Sequence, residues 1–264
     1  MPHPTHPGSR PARPSRLLAF LLVAACARGA PAATVQSPPP AAGAQSGSGT
    51  APATGVAAPA PAGQAAVEAP PLPIAPDAQA DSLLVDIRSI DSTIQVDARY
   101  ATADNFTGAA LPGYEAPRAL LRREVALALG RVQARLRTGD LGLRVFDGYR
   151  PVRATLAMVA WAERTGRRGL LDSGYIARRS RHNLGVAVDL TLVDLATGTE
   201  VPMGTPFDTF TEAAHTANAT GRVRRYRQIL VSVMAEEGFV NYDQEWWHFS
   251  FPVEGAVPFD RVIH

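Results

Sequence analysis

The sequence predicts an α+β fold, a single domain with a largely antiparallel central sheet flanked by helices. Strand-like and helical runs are mixed along the chain without the regular strand–helix–strand order of a parallel sheet. The chain has 264 residues, of which 46% are hydrophobic, and this is enough to bury a core. No apolar run reaches the ~18 residues of a membrane-spanning helix, which excludes a multi-span membrane protein.

The first half of the predicted domain contains three strands and one helix. Residues 83–87 and 93–98 are short runs rich in Val, Ile and Leu, a composition that favours strands. An Ala-, Leu- and Arg-rich segment predicts a helix over 117–136, which Gly139 stops. Residues 143–147 are strand-like again.

The second half contains two helices and two strands. Proline is favoured at the first position of a helix, so a helix is predicted over 151–165. Residues 184–192 and the aromatic run 245–251 predict strands. An amphipathic helix that ends at Gly238 is predicted from apolar residues at helical spacing, namely Tyr226, Ile229, Leu230, Val233 and Met234.

The N-terminal residues 1–26 have the pattern of a signal peptide. Three arginines precede an apolar run that ends at Cys26, the only cysteine of the chain. The segment Leu22–Cys26 resembles a bacterial lipobox, in which the cysteine is acylated and becomes the mature N-terminus. We expect an exported protein in the periplasm or cell envelope, attached to the membrane through a lipid on Cys26. The alternative is an ordinary signal peptide that is cleaved at a nearby alanine.

Residues 27–81 are rich in Ala, Pro and Gly and contain few charges. Such a segment buries too little apolar surface to offset the entropy of ordering it, which predicts a disordered linker. The folded domain is therefore expected over 82–264.

The charges of the chain exclude some classes of function. All 26 basic residues are arginines, so Schiff-base chemistry and a phosphate-loop lysine are excluded. Without the arginines of the signal peptide the charge is close to neutral, and nothing in that balance predicts a nucleic-acid partner. A single cysteine excludes an intramolecular disulfide framework and a cysteine-rich zinc site.

The first segment that could carry chemistry is Ser180–Thr191. Asp189 is flanked by apolar residues on a predicted strand, where an acid is unusual and a buried carboxylate needs a cation or several donors. His182 lies seven positions earlier, and Gly185 provides a bend that could bring the two side chains together. The alternative is a core aspartate satisfied by backbone donors beside a surface histidine.

The second segment is the aromatic run that contains His248. Its aromatic neighbours would keep the imidazole neutral and able to bind a metal, and Glu245 lies three residues earlier. Taken alone, this segment also fits a core strand of aromatic residues with one histidine whose ring nitrogens are hydrogen-bonded. Together with His182 and Asp189 it provides two imidazoles, one carboxylate and a spare glutamate, which fits the three ligands and the open position of catalytic zinc.

These motifs resemble those of the zinc D-alanyl-D-alanine dipeptidases of the VanX type, within the zinc D,D-peptidases related to the Hedgehog fold. Both motifs have the spacing of that group, and the likeness extends over the whole predicted domain. Supporting stretches are Tyr100–Gly108, Asp147–Pro151 and Val201–Asp208.

The resemblance implies a role for several residues. One Zn²⁺ per chain would be bound by His182, Asp189 and His248. Glu245 would be the general base that deprotonates the zinc-bound water and then protonates the leaving amine. Arg150 would stabilise the oxyanion, although a loop arginine that caps a carbonyl or pairs with Asp147 is the alternative.

The resemblance also implies a substrate-binding set. Asp208 would receive the ammonium of a small D,D-dipeptide, and Ser180 and Tyr114 would help to position it. Asp208 could instead cap a helix over 209–214, and Ser180 could be a turn hydroxyl. His215 is interpreted as a structural or surface residue and not as a ligand.

The expected activity is hydrolysis of D-Ala-D-Ala to two D-alanines, in cell-wall peptide turnover or glycopeptide resistance. One alternative is a D,D-carboxypeptidase that trims the terminal D-Ala of peptidoglycan stems. The other is a wall-binding module that zinc stabilises and that has no catalytic activity, against which the presence of Glu245 argues.

Overall fold

The computed structural model describes residues 73–264. The predicted signal peptide, the lipid attachment at Cys26 and most of the predicted linker lie outside the described residues. Within residues 73–264, no helix has both the length and the apolar character needed to cross a membrane.

Helices and strands are mixed along the described chain, as predicted. The helices are α1 Asp77–Leu83, α2 Ile87–Ile90, α3 Arg123–Leu136, α4 Val152–Arg164, α5 Gly169–Asp172 and α6 Gly221–Glu236. The strands are β1 Leu84–Asp86, β2 Gln95–Val96, β3 Leu120–Arg122, β4 Leu141–Asp147, β5 Ala187–Asp194, β6 Val240–Asn241 and β7 His248–Ser250. Short 3₁₀ turns include Arg181–Leu184 and Glu212–Ala214.

The central sheet has five strands in the order β2-β4-β5-β7-β6. Only the pair β2–β4 is parallel, and the other three pairs are antiparallel. The predicted α+β class with a largely antiparallel sheet is therefore confirmed. A second sheet contains β1 and β3, which pair antiparallel.

The apolar side chains form two clusters around this sheet. In the first, α3 and α6 pack on each other, on β4 and on β5, with Leu129 and Leu230 fully buried. The second surrounds α4 and includes Tyr100, Met158 and Phe259. Burial of this apolar surface fixes the sheet, from which the residues of the site project.

The prediction of one helix over 117–136 was wrong at its start. Residues Leu120–Arg122 pair with β1 as a strand, and the helix begins only at Arg123. Leu121 is fully buried in that pairing, so tertiary contacts override the helix propensity of the segment.

Other predicted boundaries shift by a few residues. The first helix begins at Asp77, inside the segment expected to be linker, and buries Ala80. The strand predicted over 83–87 is only Leu84–Asp86. The start of the strand predicted over 184–192 is a 3₁₀ turn, and the predicted aromatic strand 245–251 shortens to His248–Ser250.

Candidate metal and catalytic site

Three adjacent segments bring the predicted metal ligands together. Asp189 lies on β5 directly opposite His248 on β7, so their pairing fixes this contact. His182 lies on the 3₁₀ turn that precedes β5. At the end of this turn Gly185 has φ 68°, the left-handed region that favours glycine. The bend therefore favours glycine, and a Cβ at this position would also lie 2.6 Å from Leu84 Cδ2 and displace that side chain.

The three side chains have the spacing of a metal site. Nε2 of His182 lies 3.2 Å from Nδ1 of His248 and 3.3 Å from Oδ2 of Asp189. Nδ1 of His248 lies 2.9 Å from Oδ1 of Asp189. Ligand atoms about 2.0–2.1 Å from a tetrahedral zinc ion are about 3.3 Å apart. The observed distances fit that geometry, and this is the one His/Cys/Asp/Glu group of such spacing among residues 73–264.

The hydrogen bonds of His182 orient its ring towards the metal position. Nδ1 lies 2.6 Å from the carbonyl oxygen of Gly148, which can only accept, so Nδ1 carries the proton. When the ring carries only this proton, Nε2 has a lone pair that faces Nδ1 of His248 and the carboxylate of Asp189. A carbonyl that fixes the tautomer of a ligand histidine is usual in metal sites. This donor set fits a divalent cation.

Electrostatics favour the ligating form of these groups. Burial lowers the pKa of His248, which keeps its imidazole neutral. Although burial alone would raise the pKa of Asp189, positive charge on the neighbouring histidines lowers it well below its usual range, and a cation held by the same three groups would act in the same direction. Asp189 therefore stays ionised while buried.

Glu245 lies beside the metal position without belonging to the ligand group. Its Oε2 is 4.0 Å from Nδ1 of His248, and only 8% of the residue is exposed. Burial, with smaller contributions from the charges of Asp189 and Asp208, raises its pKa well above the usual value. A carboxylate with a raised pKa beside a metal position is suited to accept and return a proton.

Arg150 reaches the same site from the loop after β4. Its Nη2 is 3.6 Å from Oδ2 of Asp189 and 2.8 Å from Oδ2 of Asp147. The pairing with Asp147 considered from the sequence is thus present, yet Arg150 also lines the cavity. Tyr114, predicted to bind substrate, does not line this cavity and donates a hydrogen bond of 2.7 Å to Asp147. It therefore lies behind Arg150.

The other two predicted substrate-binding residues line the cavity. The half-buried Asp208 has φ 59°, and its two carboxylate oxygens each accept a hydrogen bond of 3.1 Å from the hydroxyl of Tyr100. Burial raises its pKa well above the usual value. It caps no helix, since the turn Glu212–Ala214 begins after Thr211. Ser180 caps the 3₁₀ turn that contains His182, because its Oγ accepts a hydrogen bond of 3.2 Å from the backbone N–H of His182.

These side chains surround one cavity of about 270 Å³. The lining includes the predicted metal ligands His182, Asp189 and His248, together with Glu245, Arg150, Asp208 and Ser180. His215, interpreted as structural, lies outside the lining and contacts the lining residue Tyr175 through Nε2 at 3.0 Å.

Sequence reasoning gave no role to Tyr100 and considered Asp147 only as an alternative partner of Arg150. Tyr100 holds Asp208, and its ring lies 4.9 Å beneath the Arg150 guanidinium. Asp147 is 2% exposed and holds Arg150. The signal available for Asp147 was an acid in a strand followed by Gly148, a pattern that also fits a simple turn.

Comparison with known proteins identifies the family of this chain. Residues 80–263 match the Peptidase_M15 family model, described as D-ala-D-ala dipeptidase. The chain is 38% identical over 181 residues to a D-alanyl-D-alanine dipeptidase of Streptomyces coelicolor, covering 62% of this chain and 88% of that protein. It is 38% identical to one of Enterococcus faecium (59% and 85%) and 32% identical to one of Escherichia coli K12 (66% and 88%).

Proposed function

This chain belongs to the Peptidase_M15 family of D-Ala-D-Ala dipeptidases, and from that membership we propose that it is a zinc peptidase which hydrolyses D-Ala-D-Ala to two D-alanines. The observation that carries the proposal is the convergence of two imidazoles and one carboxylate with a separate glutamate and arginine on one cavity. A module that only binds the wall would not need the glutamate or the arginine.

One zinc ion per chain would be held by His182 Nε2, His248 Nδ1 and an oxygen of Asp189. When bound, the ion would act as a Lewis acid and lower the pKa of water, so that a hydroxide nucleophile is available at neutral pH. The protein supplies the remaining groups. The carbonyl of Gly148 holds the proton of His182 on Nδ1, so Nε2 stays available as a ligand.

Glu245 moves the proton that the reaction requires. An oxygen of its carboxylate accepts a proton from the attacking water, and the same group delivers it to the leaving nitrogen when the peptide bond breaks. The raised pKa of Glu245 brings its proton affinity closer to that of the groups with which it exchanges. The reaction balances, since one dipeptide and one water molecule are consumed and two free amino acids are formed.

Arg150 stabilises the charge that develops during this step. Its guanidinium is already fixed by Asp147 before substrate arrives, so it loses little freedom when it donates to the developing oxyanion. Although burial opposes its charge, Asp147 raises the pKa of Arg150 and keeps it cationic. Asp208 pairs with the ammonium of the dipeptide, and Ser180 contributes to positioning.

The test is release of free D-alanine from D-Ala-D-Ala and from an N-acylated D-Ala-D-Ala peptide, each with and without chelator. Chelator-sensitive release from the free dipeptide alone supports the proposal. Release from the acylated peptide at a comparable rate would favour the D,D-carboxypeptidase. If no D-alanine is released from either substrate and the chelator unfolds the protein, the results would favour the wall-binding module.

We also propose that the protein is exported and anchored through a lipid on Cys26. The support is the basic stretch and the apolar run that ends at this cysteine. Such an anchor would place the enzyme where D,D-dipeptides derived from the wall are found. Cells grown with radiolabelled palmitate are expected to incorporate the label into the wild-type protein and not into Cys26→Ala. If neither protein is labelled, the proposal of a lipid anchor is contradicted.

A further inference from the structure

Aromatic side chains form the wall of the cavity beside Asp208. Tyr100, which holds Asp208, has its ring 6.1 Å from that of Phe106. Phe106 lies 5.1 Å from Phe210, and Phe210 lies 5.7 Å from Tyr175, all measured between ring centroids. All five residues line the cavity. Phe106, Phe210 and Tyr175, hereafter the aromatic wall, form a continuous row of rings that begins beside Tyr100, the residue that holds Asp208.

The outer residue of the aromatic wall is fixed in place by a hydrogen bond. The hydroxyl of Tyr175 lies 3.0 Å from Nε2 of His215. The backbone around His215 is in turn held by Arg227 on α6, whose Nη1 donates to the His215 carbonyl at 2.7 Å and whose Nη2 donates to that of Ala213 at 3.1 Å. Arg227 is 2% exposed. Tyr175 is therefore connected to the packed core, although it lies in a loop.

The backbone beside Tyr175 brings the loop against the cavity. Gly174 has φ 85°, and a Cβ there would lie 3.2 Å from the hydroxyl of Tyr242, another residue of the cavity lining. The segment Gly174–Tyr175 therefore approaches Tyr242 through its backbone and Phe210 through the Tyr175 ring.

We propose that Tyr175, held by His215, is a specificity-determining residue that restricts the substrate to a dipeptide with a free amino terminus. The inference rests on the proposed function, in which Asp208 receives the substrate ammonium. An acyl group on that nitrogen removes the positive charge and, in this proposal, extends towards the aromatic wall. The cavity of about 270 Å³ lies at the small end of the range typical of ligand pockets, about 300–1,000 Å³.

The experiment compares kcat/KM for D-Ala-D-Ala and for N-acetyl-D-Ala-D-Ala in zinc-loaded, full-length protein. In Tyr175→Ala the selectivity ratio is expected to shift towards the acetylated substrate by about tenfold, since the ring no longer fills that space. Tyr175→Phe and His215→Ala keep the ring and lose the hydrogen bond, so a smaller shift in the same direction is expected. Tyr226→Ala removes another half-buried tyrosine, located on α6 outside the cavity lining, and is expected to keep the wild-type ratio.

Each outcome is informative. If the selectivity ratio is the same in the wild type, Tyr175→Ala, Tyr175→Phe and His215→Ala, and the dipeptide is still cleaved, the result contradicts this inference and leaves the proposed function intact. A wild type that cleaves the acetylated substrate as well as the free dipeptide also contradicts it. A wild type that cleaves neither contradicts the proposed function, and this inference with it. Tyr175→Phe, which removes one oxygen, keeps the test valid if Tyr175→Ala does not fold.

Discussion

Asp147 holds Arg150 through a single carboxylate oxygen. Oδ2 accepts from Nε at 2.9 Å and pairs with Nη2 at 2.8 Å, while Oδ1 accepts from the Tyr114 hydroxyl and from the Gly148 backbone. The buried carboxylate thus has a partner at both oxygens, which makes its burial tolerable. Arg150 is held in place before any substrate is bound.

Asp147→Asn is therefore expected to lower kcat by about 10- to 100-fold with a smaller change in KM, because a misplaced oxyanion donor matters most in the transition state. Steady-state kinetics with D-Ala-D-Ala measure both constants. Asp260→Asn is the matched control, since Asp260 pairs with Arg153 in a more exposed position away from the cavity. An equal loss in kcat for both variants would show a general effect of removing an aspartate.

Glu245→Gln is expected to keep the zinc content of the wild type and to lose about 10²–10⁴-fold in kcat, because the amide keeps the shape and cannot accept the proton. Metal analysis and kinetics on the same preparation separate the two effects. His182→Ala should lose both zinc and activity. Near-normal kcat in Glu245→Gln would remove Glu245 from the role of general base.

Removal of the metal is expected to abolish activity and to lower the Tm, because an ion that binds only the folded state stabilises it. Chelator followed by added zinc, monitored by thermal unfolding, measures the effect and its reversal. His182→Ala should show no chelator-dependent shift, whereas His215→Ala, which leaves the ligand group intact, should keep one. An identical shift in both variants would place the ion elsewhere.

Asp208→Asn is expected to raise KM for D-Ala-D-Ala by about 10- to 100-fold, since a hydrogen bond to a charged group contributes about 1.5–3 kcal/mol. Asn tolerates the left-handed backbone of this position, so strain is not added. The control is Asp140→Asn, whose φ of 58° is the other positive value among non-glycine residues of 73–264. A fall in kcat alone, with KM unchanged, would contradict the ammonium contact.

The salt bridges of Glu237 predict a pH-dependent contribution to stability. Its carboxylate pairs with Arg131 and Arg135 of α3, and these partners, mainly Arg135, lower its pKa. A lowered pKa means that the contribution is present above the unfolded-state pKa and is lost as the pH falls through the folded-state value. Glu237→Gln should lower the Tm by about 1–2 °C at pH 7 and by less in acid. Equal losses at both pH values would exclude an ionic origin.

Much of this site could be predicted because its signals are local. A carboxylate within an apolar strand, a histidine among aromatic residues and the glycine between the two halves of the first motif are visible without coordinates. The positions of Tyr114 and Tyr175 were not visible in this way. Tyr114 acts on Asp147, 33 residues away, and Tyr175 on His215, 40 residues away, so no local pattern reports either contact.

The sequence by itself determined the class of fold, the helices and strands with regular apolar spacing, and the residue types from which a zinc site could be assembled. The tertiary structure decided which residues pair across the sheet, that Leu120–Arg122 form a strand, and which side chains hold the catalytic groups in place. The physical reason is that periodicity and turn chemistry act over a few residues. Strand pairing and the hydrogen bonds of buried polar groups instead depend on partners that are distant in the chain, and these come together only when the core is packed.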